Sequence, residues 1–252
     1  MGQQDGILQL KGSVGKFTFF KKDGEYMART KSGVSRQKIM TDPAYIRTRE
    51  NMAEFARAGK AGKLLRACLN GLLVHCKDGS RAGRLTAAFK AVVKADSVND
   101  RGMRNVLDGE TELLQGFQMN RNSALSTTLF APFTTAIDRA AGELVVTIPP
   151  FVPINMVRAP QGATHFRVNS AGAAVNFENE TYVVDVQQTP MLPWTSAETA
   201  PLTLTNAVTA ASTYPLFLVM GIEFYQEING TMYPLKTGSF NALSIEKVDG
   251  GV

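Results

Sequence analysis

The sequence predicts an α+β chain in three consecutive parts, and three observations carry that prediction. Two strand-like runs meet at Asp23-Gly24 near the start. From about residue 42 to 116 the apolar residues recur at helical spacing. After Gly116 the text turns rich in Thr, Val, Phe and Pro and nearly free of Lys, with a further turn signal at Asn229-Gly230. At 252 residues and 44% hydrophobic, the chain can bury one large core or two ordinary ones. The parts divide as a strand arm with hairpin over 1–41, a basic helical layer over 42–120 and a β-sandwich over 121–252.

In the arm, Ile7 to Leu10 is a short apolar segment, and Phe17-Thr18-Phe19-Phe20-Lys21-Lys22 runs into Asp23-Gly24 and out through Glu25-Tyr26-Met27-Ala28-Arg29. Asp-Gly between two strand runs favours a type I′ turn, because both central residues take positive φ there. The spacing predicts a β-hairpin over 17–29. An isolated hairpin is barely stable in water, so this one must join a larger sheet, in this subunit or the next.

The helical part opens where Thr41 or Asp42 can cap a helix beginning at Pro43, a favoured first position because its missing N–H has no helical partner anyway. Tyr45, Met52, Phe55 and Ala56 then share a face. Gly59-Lys60-Ala61-Gly62-Lys63 predicts a break or kink before a stripe of Leu64, Leu65, Cys68, Leu69, Leu72 and Leu73. A turn at Lys77 to Ser80 precedes a third helix with Leu85, Ala88, Phe89, Val92 and Val93 on one side. A fourth, shorter helical segment holds Met103, Val106, Leu107, Leu113 and Leu114.

Beyond Gly116 the strand candidates are 126–130, 134–138, 143–148, 165–169, 174–177, 181–186, 202–205, 216–226, 231–235 and 242–248. Short strands broken by Pro149-Pro150, Gly162, Gly172, Pro190 and Pro193 predict an antiparallel sandwich of immunoglobulin-like type, although no Cys…Trp…Cys pattern is present.

Charge is distributed unevenly. Residues 1–120 carry 21 Lys+Arg against 12 Asp+Glu, and residues 121–252 carry 6 against 10. A molecule with a basic end and a mildly acidic end is suited to stacking on copies of itself or to lying on an anionic polymer. The second option draws on the helical basic residues, among them Lys60, Lys63 and Arg66, as a phosphate-neutralising face with few aromatics to stack on bases.

The residues point to no catalytic chemistry. Gly59 to Lys63 lacks the spacing of a phosphate loop and follows no strand. His75 beside Cys76, with Cys68 upstream, falls short of a zinc ligand set, and no GxSxG elbow accompanies His165. Glu178 and Glu180 read as a solvated turn, and Trp194 as a packed loop residue. No cofactor is implied. Cys68 and Cys76, eight residues apart on a helix, stand about 12 Å from each other, which predicts two buried free thiols and a reducing compartment. The start MGQQDGILQLKG has no basic segment leading into a long apolar one, and no apolar run is long enough to cross a bilayer; a cytoplasmic product is the expectation.

Residues 12–58 resemble uncharacterised proteins of Bacteroidota genomes: Gly12-Ser13-Val14-Gly15 before a strand, Arg29-Thr30-Lys31 after the turn, and Asp42-Pro43-Ala44-Tyr45-Ile46-Arg47-Thr48-Arg49-Glu50-Asn51 opening a helix. Leu125–Pro132 and Pro215–Gln226 are similar to members of the same group. The layout of a sandwich with an extended arm also resembles phage tail and tube proteins, at the level of fold analogy alone. The resemblance implies a non-enzymatic assembly protein. The sequence reading is accordingly a structural subunit that joins head-to-tail into a filament or tube, with itself as partner. Its arm donates strands to a neighbour's sheet through Ile7, Leu8, Leu10, Phe17, Phe19, Phe20 and Tyr26, and Lys60, Lys63 and Arg66 assist. A nucleic-acid-associated protein using the basic helical face is the alternative.

Overall fold

The computed structural model describes residues 2–4, 9–30, 33–235 and 238–251. The chain divides into two compact units, Met1–Arg49 and Glu50–Val252. In the first, strands β1 (Gly2–Gln3), β2 (Gly12–Val14), β3 (Phe17–Lys22) and β4 (Glu25–Thr30) form an antiparallel sheet in the order β1-β4-β3-β2. The predicted hairpin is present. Asp23 at φ 51° and Gly24 at φ 91° turn β3 into β4, and Phe20 pairs with Met27 across it. A short helix α1 (Arg36–Thr41) follows, capped by the Ser35 hydroxyl, which accepts from the Lys38 N–H. Asp42 then caps a single 3-10 turn at Pro43–Tyr45 through the Ala44 N–H.

Helix α2 (Ile46–Cys68) leads into the second unit and runs unbroken through Gly59 and Gly62, contrary to the predicted break. The cause is tertiary. Helix α4 (Arg81–Ala95) comes close enough that a Cβ on Gly62 would stand 3.6 Å from both Leu85 and Phe89, so packing outweighs the roughly 1 kcal/mol that each helical glycine costs. The buried face of α2 is Glu54, Ala58, Ala61, Gly62, Leu65 and Cys68. Met52, Phe55 and Ala56, expected to share an inward stripe with Tyr45, are exposed instead. A one-turn helix α3 (Asn70–Leu73) links α2 to α4.

The fourth helical segment is absent except for a 3-10 turn at Thr111–Leu114. Asp96 explains the difference. Its carboxylate accepts from the backbone N–H groups of Val98, Asn99 and Asn105, all at 2.9 Å, which fixes a loop where the pattern predicted helix.

Two further one-turn helices, α5 (Leu125–Thr128) and α6 (Pro153–Met156), lie among the strands, and α5 occupies the start of the strand expected at 126–130. The remaining strands are β5 (Thr134–Asp138), β6 (Glu143–Ile148), β7 (His165–Asn176), β8 (Thr181–Gln188), β9 (Leu192–Pro193), β10 (Leu202–Ala207), β11 (Leu216–Ile228), β12 (Thr231–Pro234) and β13 (Ala242–Asp249). They form two antiparallel sheets. The smaller has the order β10-β6-β5, and the larger β12-β11-β7-β8, with β13 beside β11 and β9 beside β7.

The larger sheet is buried on both faces. Phe166, Val168, Leu216, Leu218, Met220 and Phe224 meet Leu144, Val146, Ile148 and Leu204 of the smaller sheet. On the opposite face Ala171, Ala173, Val175, Phe217 and Val219 meet Leu65 of α2 and Leu85, Phe89 and Val92 of α4. The predicted strands 165–169 and 174–177 are one strand, and Gly172 is its point of closest approach to the smaller sheet. A Cβ there would lie 2.6 Å from Asn206 Cβ and 3.3 Å from Leu144, so the glycine marks sheet contact and not a break. Unit two is therefore helices on a sheet on a sheet, a mixed and mostly β architecture.

Candidate self-association surfaces

The first unit's sheet places aromatic groups on both faces. Pairing with β4 sets Phe17, Phe19 and Lys21 beside Thr30, Ala28 and Tyr26 on one face, and Thr18, Phe20 and Lys22 beside Arg29, Met27 and Glu25 on the other. The Phe17 and Phe19 ring centroids stand 6.5 Å apart. Cations lie over two of the rings: Lys21 Nζ is 5.2 Å from the Tyr26 centroid and Arg29 Cζ 5.3 Å from that of Phe20. Gln4 ties β1 to the segment before β2, accepting from the Leu10 N–H at 2.9 Å and donating to the Met27 carbonyl at 3.0 Å.

None of the described residues between 2 and 49 whose burial is described is buried. Phe17 is 50% exposed, Leu10 48% and Val14 65%, while Phe19, Phe20, Tyr26 and Met27 are half-buried. A four-stranded sheet with apolar groups on both sides and no buried residue among those described leaves the hydrophobic stabilisation of those residues largely unrealised, since each Phe fully covered adds roughly 1.5–3 kcal/mol. Of the residues the sequence singled out for assembly, Ile7 and Leu8 lie outside the described residues, while the other five arm positions share this sheet or its border.

Lys60, Lys63 and Arg66 fall elsewhere, along one flank of α2. Lys60 and Lys63 are exposed, with Lys60 Nζ 3.5 Å from Glu180 Oε1. Arg66 is half-buried and donates through Nε to the Gly62 carbonyl at 3.2 Å. Several neighbouring guanidinium groups are turned into the protein. Arg57 donates to the carbonyls of Gly102 and Arg104, Arg81 to those of Met119 and Cys76, and Arg84 pairs with Asp78 at 2.6 Å.

The buried polar groups of unit two are structural in geometry. Glu223 accepts from Arg167 at 2.8 Å, Asn169 at 2.8 Å and the Tyr225 hydroxyl at 2.7 Å, and burial followed by the Glu223 hydrogen bond pushes the Tyr225 hydroxyl pKa up. Arg167 Nε and Asn169 Oδ1 of this cluster are buried without a hydrogen-bond partner. Cys68 and Cys76 are free, buried thiols; burial pushes Cys68 up to about 12 and Cys76 in the same direction, and a thiol held protonated is a poor nucleophile. His75 is exposed, and His165 Nε2 stands 3.8 Å from Glu227. Among the described residues no three His, Cys, Asp or Glu side chains converge on a metal-sized site, and no helix is long and apolar enough to cross a membrane. The Trp194 indole packs on the inter-sheet core and donates to the Val157 carbonyl at 3.1 Å, so its face is committed to packing.

The sequence reading missed one surface. Strand β8 is an edge of the larger sheet, paired with β7 alone, and Tyr182, Val183 and Val186 on it are exposed. The run Thr181-Tyr182-Val183-Val184 was legible as a strand. That it forms an edge depends on strand order, which periodicity does not carry. Compared with known protein families, curated proteins and solved structures, the chain has no match.

Proposed function

We propose that this chain is a structural subunit that assembles head-to-tail with copies of itself into a filament or tube, its N-terminal strands augmenting a neighbour's sheet. The observation that carries the reading is the coreless first unit: a four-stranded sheet with aromatic groups on both faces and no buried residue among those described. The acceptor is the two-sheet body, read as an immunoglobulin-like sandwich with helices on one face. One copy's arm on the next copy's body is a heterologous contact, and its repetition makes an open helix unless the rotation closes.

Electrostatics supports the pairing. Residues 1–49 hold 10 Lys+Arg against 4 Asp+Glu, whereas residues 50–252 hold 17 against 18. The net positive charge of the chain thus resides in the first unit, and a near-neutral body offers it no repulsion. A subunit of this kind suits a phage-type tube or a bacterial filament.

The test is electron microscopy and sedimentation of the full chain beside a 46–252 truncation, which retains α2 and both cores. Filaments or tubes from the full chain and discrete folded particles from the truncation support the reading. Polymers from the truncation remove the arm as the joint, and a full chain that stays monomeric at high concentration removes assembly. A salt-titrated gel shift with retained nucleic acid and a steep salt slope would transfer the cationic surface to the alternative partner.

A further inference from the structure

Resting on the assembly reading, we infer that the acceptor for a neighbour's N-terminal strands is the β8 edge at Thr181–Val184 together with the groove between it and the loop 209–214. Four observations converge there. First, the edge is open where it matters. Just past β8 and in its register, the Thr189 N–H donates to the Val168 carbonyl at 2.9 Å, which shows that odd-numbered residues of β8 turn their backbone groups toward β7. By the alternation of an antiparallel ladder, the N–H and C=O of Tyr182 and Val184 point away from β7. Among the described residues none takes them.

Second, the edge is apolar. Tyr182 is 42% exposed and Val183 47%, and with Ala210, Ala211 and Tyr214 they line a groove of about 320 Å³. Long apolar edges are normally blunted by Lys, Pro or a bulge, because they template pairing with another chain. Residues 181–184 carry none of these. The other edges of the larger sheet are short or covered: β12 is four residues ending at Pro234, β9 has two residues, and β13 is covered by the segment 116–119 through hydrogen bonds to Leu243 and Ile245.

Third, the sign of charge fits. Between Arg167 and Lys236 there is no Lys or Arg, while Glu178, Asp185 and Glu198 stand in addition to Glu180, Glu223 and Glu227, which face Lys60, Arg167 and His165. The segment 9–30 holds five Lys+Arg against two Asp+Glu. Fourth, that donor segment is itself an unsatisfied sheet, in which β2, paired among the described residues with β3 alone, carries Val14 at 65% exposure. A second copy of this chain is therefore the occupant that both surfaces fit.

The experiment places a benzophenone photo-crosslinker at Tyr182 of the full chain, mixes isotopically light and heavy copies, and maps the products. In parallel, the assembly of Val183→Arg and Val183→Ile is compared with the parent, with circular dichroism and thermal melting confirming the fold of each. Crosslinks between copies from residue 182 to residues 9–30 are expected. Val183→Arg should raise the concentration needed for assembly by about tenfold or more while Val183→Ile stays near the parent. If the parent polymerises but Val183→Arg does so equally and the crosslinks fall on other surfaces, the β8 acceptor is wrong and the assembly reading stands. Crosslinks that join residue 182 only to the same copy's arm also overturn the acceptor. A parent that never assembles overturns the assembly reading itself.

Discussion

Single side chains in this protein decide local folds that apolar periodicity misassigns. Asp96 is the clearest. Burial pushes its carboxyl pKa up, but hydrogen bonds from the backbone N–H groups of Asn99 and Asn105, from the Asn99 side chain and from the Val98 N–H outweigh that and bring it down to about 2, against 3.8 unperturbed. A folded-state pKa below the unfolded value means the stabilisation is complete above about pH 4 and is lost as pH falls through about 2. Asp78, held low through its hydrogen bonds with Ser80, Arg121 and Arg84, acts in the same sense. Asp96→Asn should therefore cost about 1–3 kcal/mol at neutral pH and flatten the fall in stability between pH 4 and 2, read as urea midpoints across that range. Gly172 offers a second test. Gly172→Ala drives a Cβ to 2.6 Å from Asn206 Cβ, where backbone and sheet spacing must give, and should lose about 1–3 kcal/mol in the same assay.

At the scale of elements, what was legible followed from local chemistry. Asp23-Gly24 and Asn229-Gly230 fixed two hairpins because positive φ is a property of those residues, and both turns show it. Strands β5, β6, β8, β10 and β13 followed from alternation and turn residues. Helix α2 did not yield to the same logic. Apart from Leu65, its buried face is made of small residues and a glutamate, Glu54, whose Oε1 accepts from the Gly102 N–H at 2.9 Å; the bulky Met52 and Phe55 point to solvent. Gly59 and Gly62 read as breakers, yet only Gly62 has close packing neighbours. A Cβ at Gly59 meets nothing within 4 Å, so Gly59→Ala should stabilise the helix by about 0.5–1 kcal/mol, measured by thermal or urea unfolding. The arm's proposed part in assembly rests on a feature that was legible, the unfavourable placement of Phe17, Phe19 and Phe20 on both faces of one strand. The proposed acceptor edge was not, because strand order is a long-range property and β8 is an edge only by virtue of it.

Across the whole molecule, burial is divided unevenly between the two units. Unit two buries two cores on the faces of one sheet, while the described residues of unit one bury none. Two consequences follow. The 46–252 truncation should unfold with the same midpoint as the dispersed full chain, since the arm adds no core. Association driven by a cationic arm and an acidic edge should weaken between 50 and 500 mM salt without vanishing, because the aromatic contacts persist when the charges are screened; light scattering across that range reads the balance. The most direct measurement is hydrogen exchange of the β3, β4 and β8 amides as a function of protein concentration. Protection that rises with concentration in 17–30 and 181–184 together, while the β7 and β11 amides stay unchanged, is the predicted result. Exchange in those two segments that does not depend on concentration, in a sample carried to the millimolar range, would contradict the claim that one copy covers another.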